Sequence, residues 1–346
     1  MTCQLTFLPV GNADSIVIQT DNSVVVVDLG NLNVLEEWLE KYEISKIDRI
    51  YITHAHGDHF PSLIRLANFI STWNGKISIG KIHLPYKVIE IARKKILANT
   101  ANPKNGSLNL ALQRIKEWSD SRAVKLSPIV RDGEEYSEGL LKIEALHPSQ
   151  FYIEHHLAAS GSKINEISIV LRVSYGNFSV LLLADIEGAG LTELLNFLQN
   201  NSERTKIKTN IIKIPHHGAY PPNGNELKDL LAFIDAEIAI LSVGSKNPYG
   251  HVEPALFNAL IELQNNNTQR LKQFICTEVT RTCIHSKLER SSMGKSGLSI
   301  PQKCAGEIAI IANNLGEWQL KTEATNHSAK IASLSHPACD GHADIS

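Results

Sequence analysis

Residues 53–60 read Thr53-His54-Ala55-His56-Gly57-Asp58-His59-Phe60, and the rest of the chain is best read outward from them. Three imidazoles and a carboxylate, His54, His56, Asp58 and His59, fall within six positions. They directly follow residues 47–52, which read as a buried strand. Imidazole and carboxylate are the ligands that borderline divalent ions such as zinc, manganese and iron prefer. At alternating positions just past a strand end, His54 and His56 can point the same way and grip one ion. Asp58 and His59, on the turn that opens the next helix, can reach a second. The plainer alternative is a set of unrelated surface residues. Four metal-competent side chains this close to a buried strand weigh against it.

Composition sets the frame. The chain has 346 residues, 43% of them apolar, enough for one large domain or two ordinary ones. With 34 basic and 36 acidic residues the formal charge is −2, which argues against holding nucleic acid by bulk electrostatics but leaves room for a local basic groove. Six of the 14 histidines sit in the short segments 54–59, 216–217 and 251. Nothing approaches the ~18 apolar residues of a membrane span. The opening Met1-Thr2-Cys3-Gln4 segment carries no basic stretch or apolar signal core, so no export signal is read. Five widely spaced cysteines do not resemble a disulfide framework. A soluble, cytoplasmic protein is expected.

Strands are expected at 4–8, 14–20 and 23–28, followed by a helix capped by Asn33 with Val34, Leu35, Trp38, Leu39 and Tyr42 at helical spacing. The strand carrying the histidines comes next, then a helix with Leu63, Leu66, Ala67 and Ile70 on one face. Residues 81–84 read as a strand, and 86–119 as helical with a break at Asn102-Pro103. Further strands are expected at 141–146, 167–174 and 179–184, the last two joined through Tyr175-Gly176-Asn177. A helix with Leu191, Leu194, Leu195 and Leu198 on one stripe follows. Strands at 211–214 and 237–242 precede a helix opened by Pro254. The last strands are expected at 273–276, 307–312 and 318–320. Two mixed β-sheets face to face with helices outside would satisfy this α/β (α+β) order.

More metal-competent residues sit at strand ends. His147 closes 141–146, Asp185 follows 180–184, His216 and His217 follow 211–215, and His251 lies past 237–242. Each has an ordinary reading: Asp185 can cap the next helix, and a lone histidine at a strand end is usually solvated. Their shared placement favours a common site, because a carboxylate or imidazole buried there unpartnered costs several kcal/mol, about what a metal contact removes.

The cluster resembles the His-x-His-x-Asp-His signature of the metallo-β-lactamase superfamily. The order of the other segments resembles its ComEC-like branch, the hydrolase domain of DNA-uptake competence proteins. Val10-Gly11-Asn12-Ala13-Asp14-Ser15, Asp28-Leu29-Gly30, Asn165-Glu166-Ile167-Ser168 before Tyr175-Gly176, Pro215-His216-His217-Gly218 and Ser242-Val243-Gly244 through Asn247-Pro248-Tyr249-Gly250-His251 follow that branch in order, over about residues 4–265. Two positions depart from it, where Ala13 and Ala184 stand in place of glycine.

The resemblance implies a four-layer αββα sandwich, expected over residues 1–321 with the strands of 266–321 included, and the polar, aperiodic stretch 322–346 reads as a flexible tail. The resemblance also implies two divalent metal ions, zinc or manganese. His54, His56 and His147 would hold one, Asp58, His59 and His217 the other, and Asp185 would bridge both. Asp14 and Asp28 would orient imidazoles by accepting their free N–H. The implied activity is a hydrolase using a metal-bridging hydroxide, a phosphodiesterase or nuclease acting on DNA or nucleotides. Asp58 would align the nucleophile, and His216 or His251 would serve the leaving oxygen. Lys213, Lys246 and the 287–295 loop are candidate phosphate contacts. Residues 154–157, in a loop, can touch substrate. Alternatives are a small-ester or lactone hydrolase, and a metal-stabilised, non-catalytic partner-binding module in a defence or uptake complex. Cys276, Cys283, His285 and Cys304 are a candidate structural zinc site, the plainer reading being buried small hydrophobes.

Overall fold

The computed structural model describes residues 2–73, 76–86, 88–89, 113–114, 117, 124–125, 129–131, 133–158, 164–200, 208–220, 225–285, 289, 292, 297–323 and 327–335. Its strands are β1 (Thr2–Phe7), β2 (Ile16–Thr20), β3 (Val24–Val27), β4 (Lys46–Tyr51), β5 (Ser78–His83), β6 (Val124–Lys125), β7 (Tyr136–Glu138), β8 (Leu141–His147), β9 (Val170–Tyr175), β10 (Phe178–Leu182), β11 (Ile211–Lys213), β12 (Ile238–Leu241), β13 (Gln273–Cys276), β14 (Ile308–Asn313) and β15 (Trp318–Thr322). They form an eight-stranded sheet, ordered β15-β14-β1-β2-β3-β4-β5-β6, and a seven-stranded one, ordered β13-β12-β11-β10-β9-β8-β7. Both are mixed. β1, β2, β3, β14 and β15 pair antiparallel, whereas β3 to β6 run parallel. In the second sheet β7 to β10 are antiparallel and β10 to β13 parallel.

The apolar pattern explains the layering. Leu5, Phe7, Ile16 and Ile18 from the first sheet meet Leu171, Val173, Val180 and Ile240 from the second in one buried cluster. The opposite face of the first sheet, with Val17, Val26 and Ile50, packs on helices α1 (Leu32–Lys41) and α2 (Leu63–Trp73). The outer face of the second, with Leu181, Ile212 and Ala239, packs on α4 (Gly188–Asn200), α5 (Asn225–Ile234) and α6 (Pro254–Gln264). Covered on both faces, β3, β10, β11 and β12 read as continuous apolar runs rather than alternating ones. The chain therefore has the expected arrangement, two mixed sheets face to face with helices outside.

Several local expectations change. The cap of α1 is Asn31, whose side chain accepts from the Asn33 backbone N–H at 3.2 Å. Residues 150–158, expected as a loop, form helix α3 (Gln150–Ala158). Its apolar residues do not share one stripe, which removes the periodic signal. Helix α5 is an addition whose stripe Leu227, Leu230, Leu231 and Ile234 is legible. The segment beyond Thr322 is not wholly tail-like: after α7 (Arg281–Ile284), a short helix α8 (His327–Ala332) buries Ile331 to 3% exposure. Six residues are too few to announce a helix without tertiary support. The helical expectation over 86–119 falls almost wholly outside the described residues, as do 336–346.

Candidate metal centre

The C-terminal ends of β3, β4, β10, β11 and β12 open onto one edge of the sandwich. The turns that follow them bring Asp28, the 54–59 segment, Asp185, His216–His217 and His251 to that edge. Three groups of metal-competent side chains assemble there among the described residues, with ligand atoms within 4.8 Å of one another: Asp58, His59, Asp185 and His217; His54, His56 and Asp58; and Asp14, Asp28 and His59.

Asp185 is central. Its Oδ1 lies 3.1 Å from His59 Nε2, and its Oδ2 lies 3.6 Å from His217 Nε2 and 3.9 Å from His54 Nε2. Nε2 of His59 and His217 are 3.3 Å apart, and His217 Nε2 is 3.4 Å from Asp58 Oδ2. The other ring nitrogens are tied down, which aims Nε2 inward. His59 Nδ1 is 2.7 Å from Asp28 Oδ2, His217 Nδ1 is 2.9 Å from the Ser242 carbonyl, and His54 Nδ1 is 3.2 Å from Thr53 Oγ1. Asp28 also accepts from Thr53 N and Thr53 Oγ1 at 2.7 and 2.8 Å. Gly30 makes this packing feasible: a Cβ there would fall 2.4 Å from the Asp58 carbonyl oxygen and 2.8 Å from that of Asp14.

Electrostatics match a cation site. Burial works against charge on His59, but the Asp185 and Asp28 carboxylates outweigh it and hold the ring well above the ordinary imidazole range. Burial opposes ionisation of Asp185 as well, yet His59 and His217 hold it well below the usual carboxylate range. Asp58 is held at about 2, with burial overcome by His217 and His59. Burial pushes His54 well below the imidazole range. The His54 Nε2 and both Asp185 oxygens are buried and make no well-aligned hydrogen bond. Orphaned acceptors at the middle of a carboxylate–imidazole cluster fit a divalent ion. The residues present therefore suit the implied ions.

His147 is not brought to this cluster. Its Nδ1 is 2.8 Å from the Ser168 carbonyl, and its Nε2 points toward α4, 3.8 Å from Glu193 Oε2. The cause is a bulge between Ala145 and His147, which changes the face on which the last residue of β8 emerges. His216 lies at the rim, Nε2 3.9 Å from Asp185 Oδ2 and Nδ1 3.2 Å from Glu187 Oε2. Against the penalty of burial, Glu187 and Asp185 raise its pKa. The His251 ring is 5.5 Å from that of His216.

Other expectations need correction. Lys213 cannot face a phosphate: it is fully buried, its Nζ paired with Asp14 and 3.2 Å from the Ala184 carbonyl. Lys246 is exposed, and most of the 287–295 loop lies outside the described residues. The pair His155–His156 lies on α3, not in a loop, and is engaged locally, His155 with the Phe151 carbonyl and His156 with Glu166. The cysteine–histidine zinc site is not assembled: Cys276 belongs to the core beneath α6, while Cys283 and Cys304 pack in a separate cluster with Val279. Cys304 instead lies 3.3 Å from His327 Nε2. Residues the sequence reading did not single out are Thr53, Ser242 through its carbonyl, and Glu187. Only Glu187, two positions past Asp185 and before a helix, had a signal to follow.

Comparisons with known proteins add to this geometry. Residues 8–72 match the family model described as the metallo-beta-lactamase superfamily. ComE operon protein 3 of Bacillus subtilis (strain 168) is 24% identical over 218 residues, covering 63% of this chain and 23% of that protein. Ribonuclease Z of Pyrococcus horikoshii is 32% identical over 68 residues, 20% of this chain and 22% of the relative. The chain thus spans under a quarter of the length of either relative. Among solved structures, the metallo-beta-lactamase fold protein YhfI from Bacillus subtilis aligns with a TM-score of 0.42 at 13% identity, over 70% of this chain and 87% of that one. Among the described residues, no helix is long and apolar enough to cross a membrane.

Proposed function

Starting from a chain that carries a metallo-beta-lactamase superfamily domain, we propose that it is a metal-dependent phosphodiesterase that acts on DNA or another nucleotide. The observation that carries this reading is the convergence of Asp58, His59, Asp185 and His217 from three separate turns into one group of ligand atoms. His54, His56 and Asp58 would hold one ion, zinc or manganese, and Asp58, His59, Asp185 and His217 the other. Divalent ions there would acidify a water and stabilise charge on phosphoryl oxygens.

The chain's own residues supply the rest. Asp58, kept ionised, accepts a hydrogen bond from the attacking water and aligns it. His216, whose pKa Glu187 and Asp185 raise against burial, donates a proton to the leaving oxygen. His251, beside it, contacts a phosphoryl oxygen. The nucleic-acid preference is supported by the partial likeness to ComE operon protein 3 and ribonuclease Z.

The test is incubation of the purified chain, with manganese or zinc, with labelled linear, circular and single-stranded DNA, a chromogenic phosphodiester and a lactone. Phosphodiester cleavage lost in Asp58→Ala by about 100-fold or more, the scale of a removed acid–base or positioning group, is expected. Lactone cleavage alone would point to an ester hydrolase. An Asp58→Ala chain that supports biological activity like the parent would point to a non-catalytic binding module.

A further inference from the structure

Beside His216 the surface opens into a cavity of about 220 Å³. Its walls are mainly apolar, with Leu191, Leu227 and the Tyr220 ring. Glu187 and Glu253 add two carboxylates, and among the described residues lining it there is no lysine or arginine. His216 belongs both to this cavity and to the rim of the metal centre, 3.9 Å from Asp185. A group seated here would therefore adjoin one bound over Asp185.

Size and charge select the occupant. Pockets for drug-sized ligands run from about 300 to 1,000 Å³, so this one encloses a single compact unit. A B-form duplex, whose major groove alone is about 12 Å wide, cannot enter. An aromatic ring and leucines offer a surface for the flat face of a base. Glu187 is paired with His216, but the second carboxylate, Glu253, can accept hydrogen bonds from sugar hydroxyls or base amino groups and repels a phosphate.

We infer that this cavity seats one terminal nucleoside of the substrate, with free hydroxyls and no phosphate beyond it. The inference rests on the phosphodiesterase reading above and deepens it: cleavage proceeds at chain ends or on short nucleotides, not within a duplex. Ala219, which lines the cavity on extended backbone (φ −62°, ψ 146°), provides the blocking variant.

Two measurements on the full chain test this. The first is calorimetric binding of thymidine, which has no phosphate. Ala219→Phe should weaken it at least tenfold while the melting temperature is retained. The second, with manganese present, compares the dinucleotide TpT with its 5′-phosphorylated and 3′-phosphorylated forms. A phosphate at one of the two ends should lower kcat/KM at least tenfold, and Glu253→Gln should recover threefold or more of that loss. Equal hydrolysis of all three dinucleotides, or thymidine binding untouched by Ala219→Phe, would overturn the inference. Thymidine binding that Ala219→Phe abolishes, with no hydrolysis of any dinucleotide, would support the seat while removing the phosphodiesterase reading, so the two failures are separable.

Discussion

Ala184 holds a left-handed backbone, φ +49°, immediately before the buried carboxylate Asp185. Asp28, His216 and His217 share that region at +62°, +49° and +51°. Four non-glycine residues in a disfavoured conformation around one site are held there by their surroundings. The Ala184 carbonyl accepts from His216 N at 3.0 Å and Lys213 Nζ at 3.2 Å, so the turn cannot relax without breaking both bonds. This explains why the related pattern has glycine at this position. Ala184→Gly should relieve about 1–2 kcal/mol of strain against about 0.4–1 kcal/mol of added unfolded-state entropy. A small rise in melting temperature with unchanged metal content is expected. Thermal unfolding checks it, and a fall in stability would show that Ala184 is not strained.

At the scale of elements, the join between α5 and β12 depends on Asp235. Its side chain accepts from Arg270 N at 2.6 Å, from Lys208 Nζ at 3.0 Å and from Arg270 Nε at 3.3 Å, tying the end of α5 to the start of β13. Burial opposes its ionisation, but these donors win and its pKa is lowered. A depressed carboxylate contributes stability that is fully present above its ordinary unfolded value and is lost as pH falls through the folded one. Asp235→Asn keeps the shape and tolerates the left-handed φ of +54° but removes the charge. It should cost about 1–2 kcal/mol at neutral pH. The gap from the parent should close in strong acid. Urea titrations from pH 7 downward would show this, and a gap that stays constant with pH would refute the assignment.

For the whole molecule, the carboxylate–imidazole cluster couples the two halves of the fold, because its residues follow strands of both sheets. Ions that bind the folded chain stabilise it by mass action, about 2.7 kcal/mol at a hundredfold excess over Kd. Manganese or zinc should therefore raise the melting temperature relative to EDTA. Without ions, His59 is held in its charged form by Asp185 and Asp28. Its raised pKa contributes stability below the ordinary imidazole range that is lost as pH rises through the folded value. Ions need the neutral ring, so metal affinity should fall as pH is lowered. Metal titrations at pH 8, 7 and 6 test the sign, and affinity independent of pH would exclude His59 as a ligand.

The amino-acid order alone determined what short-range physics controls. Apolar periodicity marked most strands, the α1, α2, α4 and α6 stripes, and the alternation that demands two covered sheets. The metal-competent cluster His54, His56, Asp58, His59, Asp185 and His217, each placed after an apolar run, was legible because strand ends are local features. Tertiary structure alone decided the directions of side chains. A one-residue bulge turned His147 toward Glu193, since a side chain's face depends on register within the sheet. Lys213 became a buried partner of Asp14, 199 positions away in the chain. The cysteines were divided between two clusters, and the cavity beside His216 arose from four segments that meet only when the second sheet packs on its helices. Such contacts follow from the packing of distant elements, whose positions no local pattern encodes.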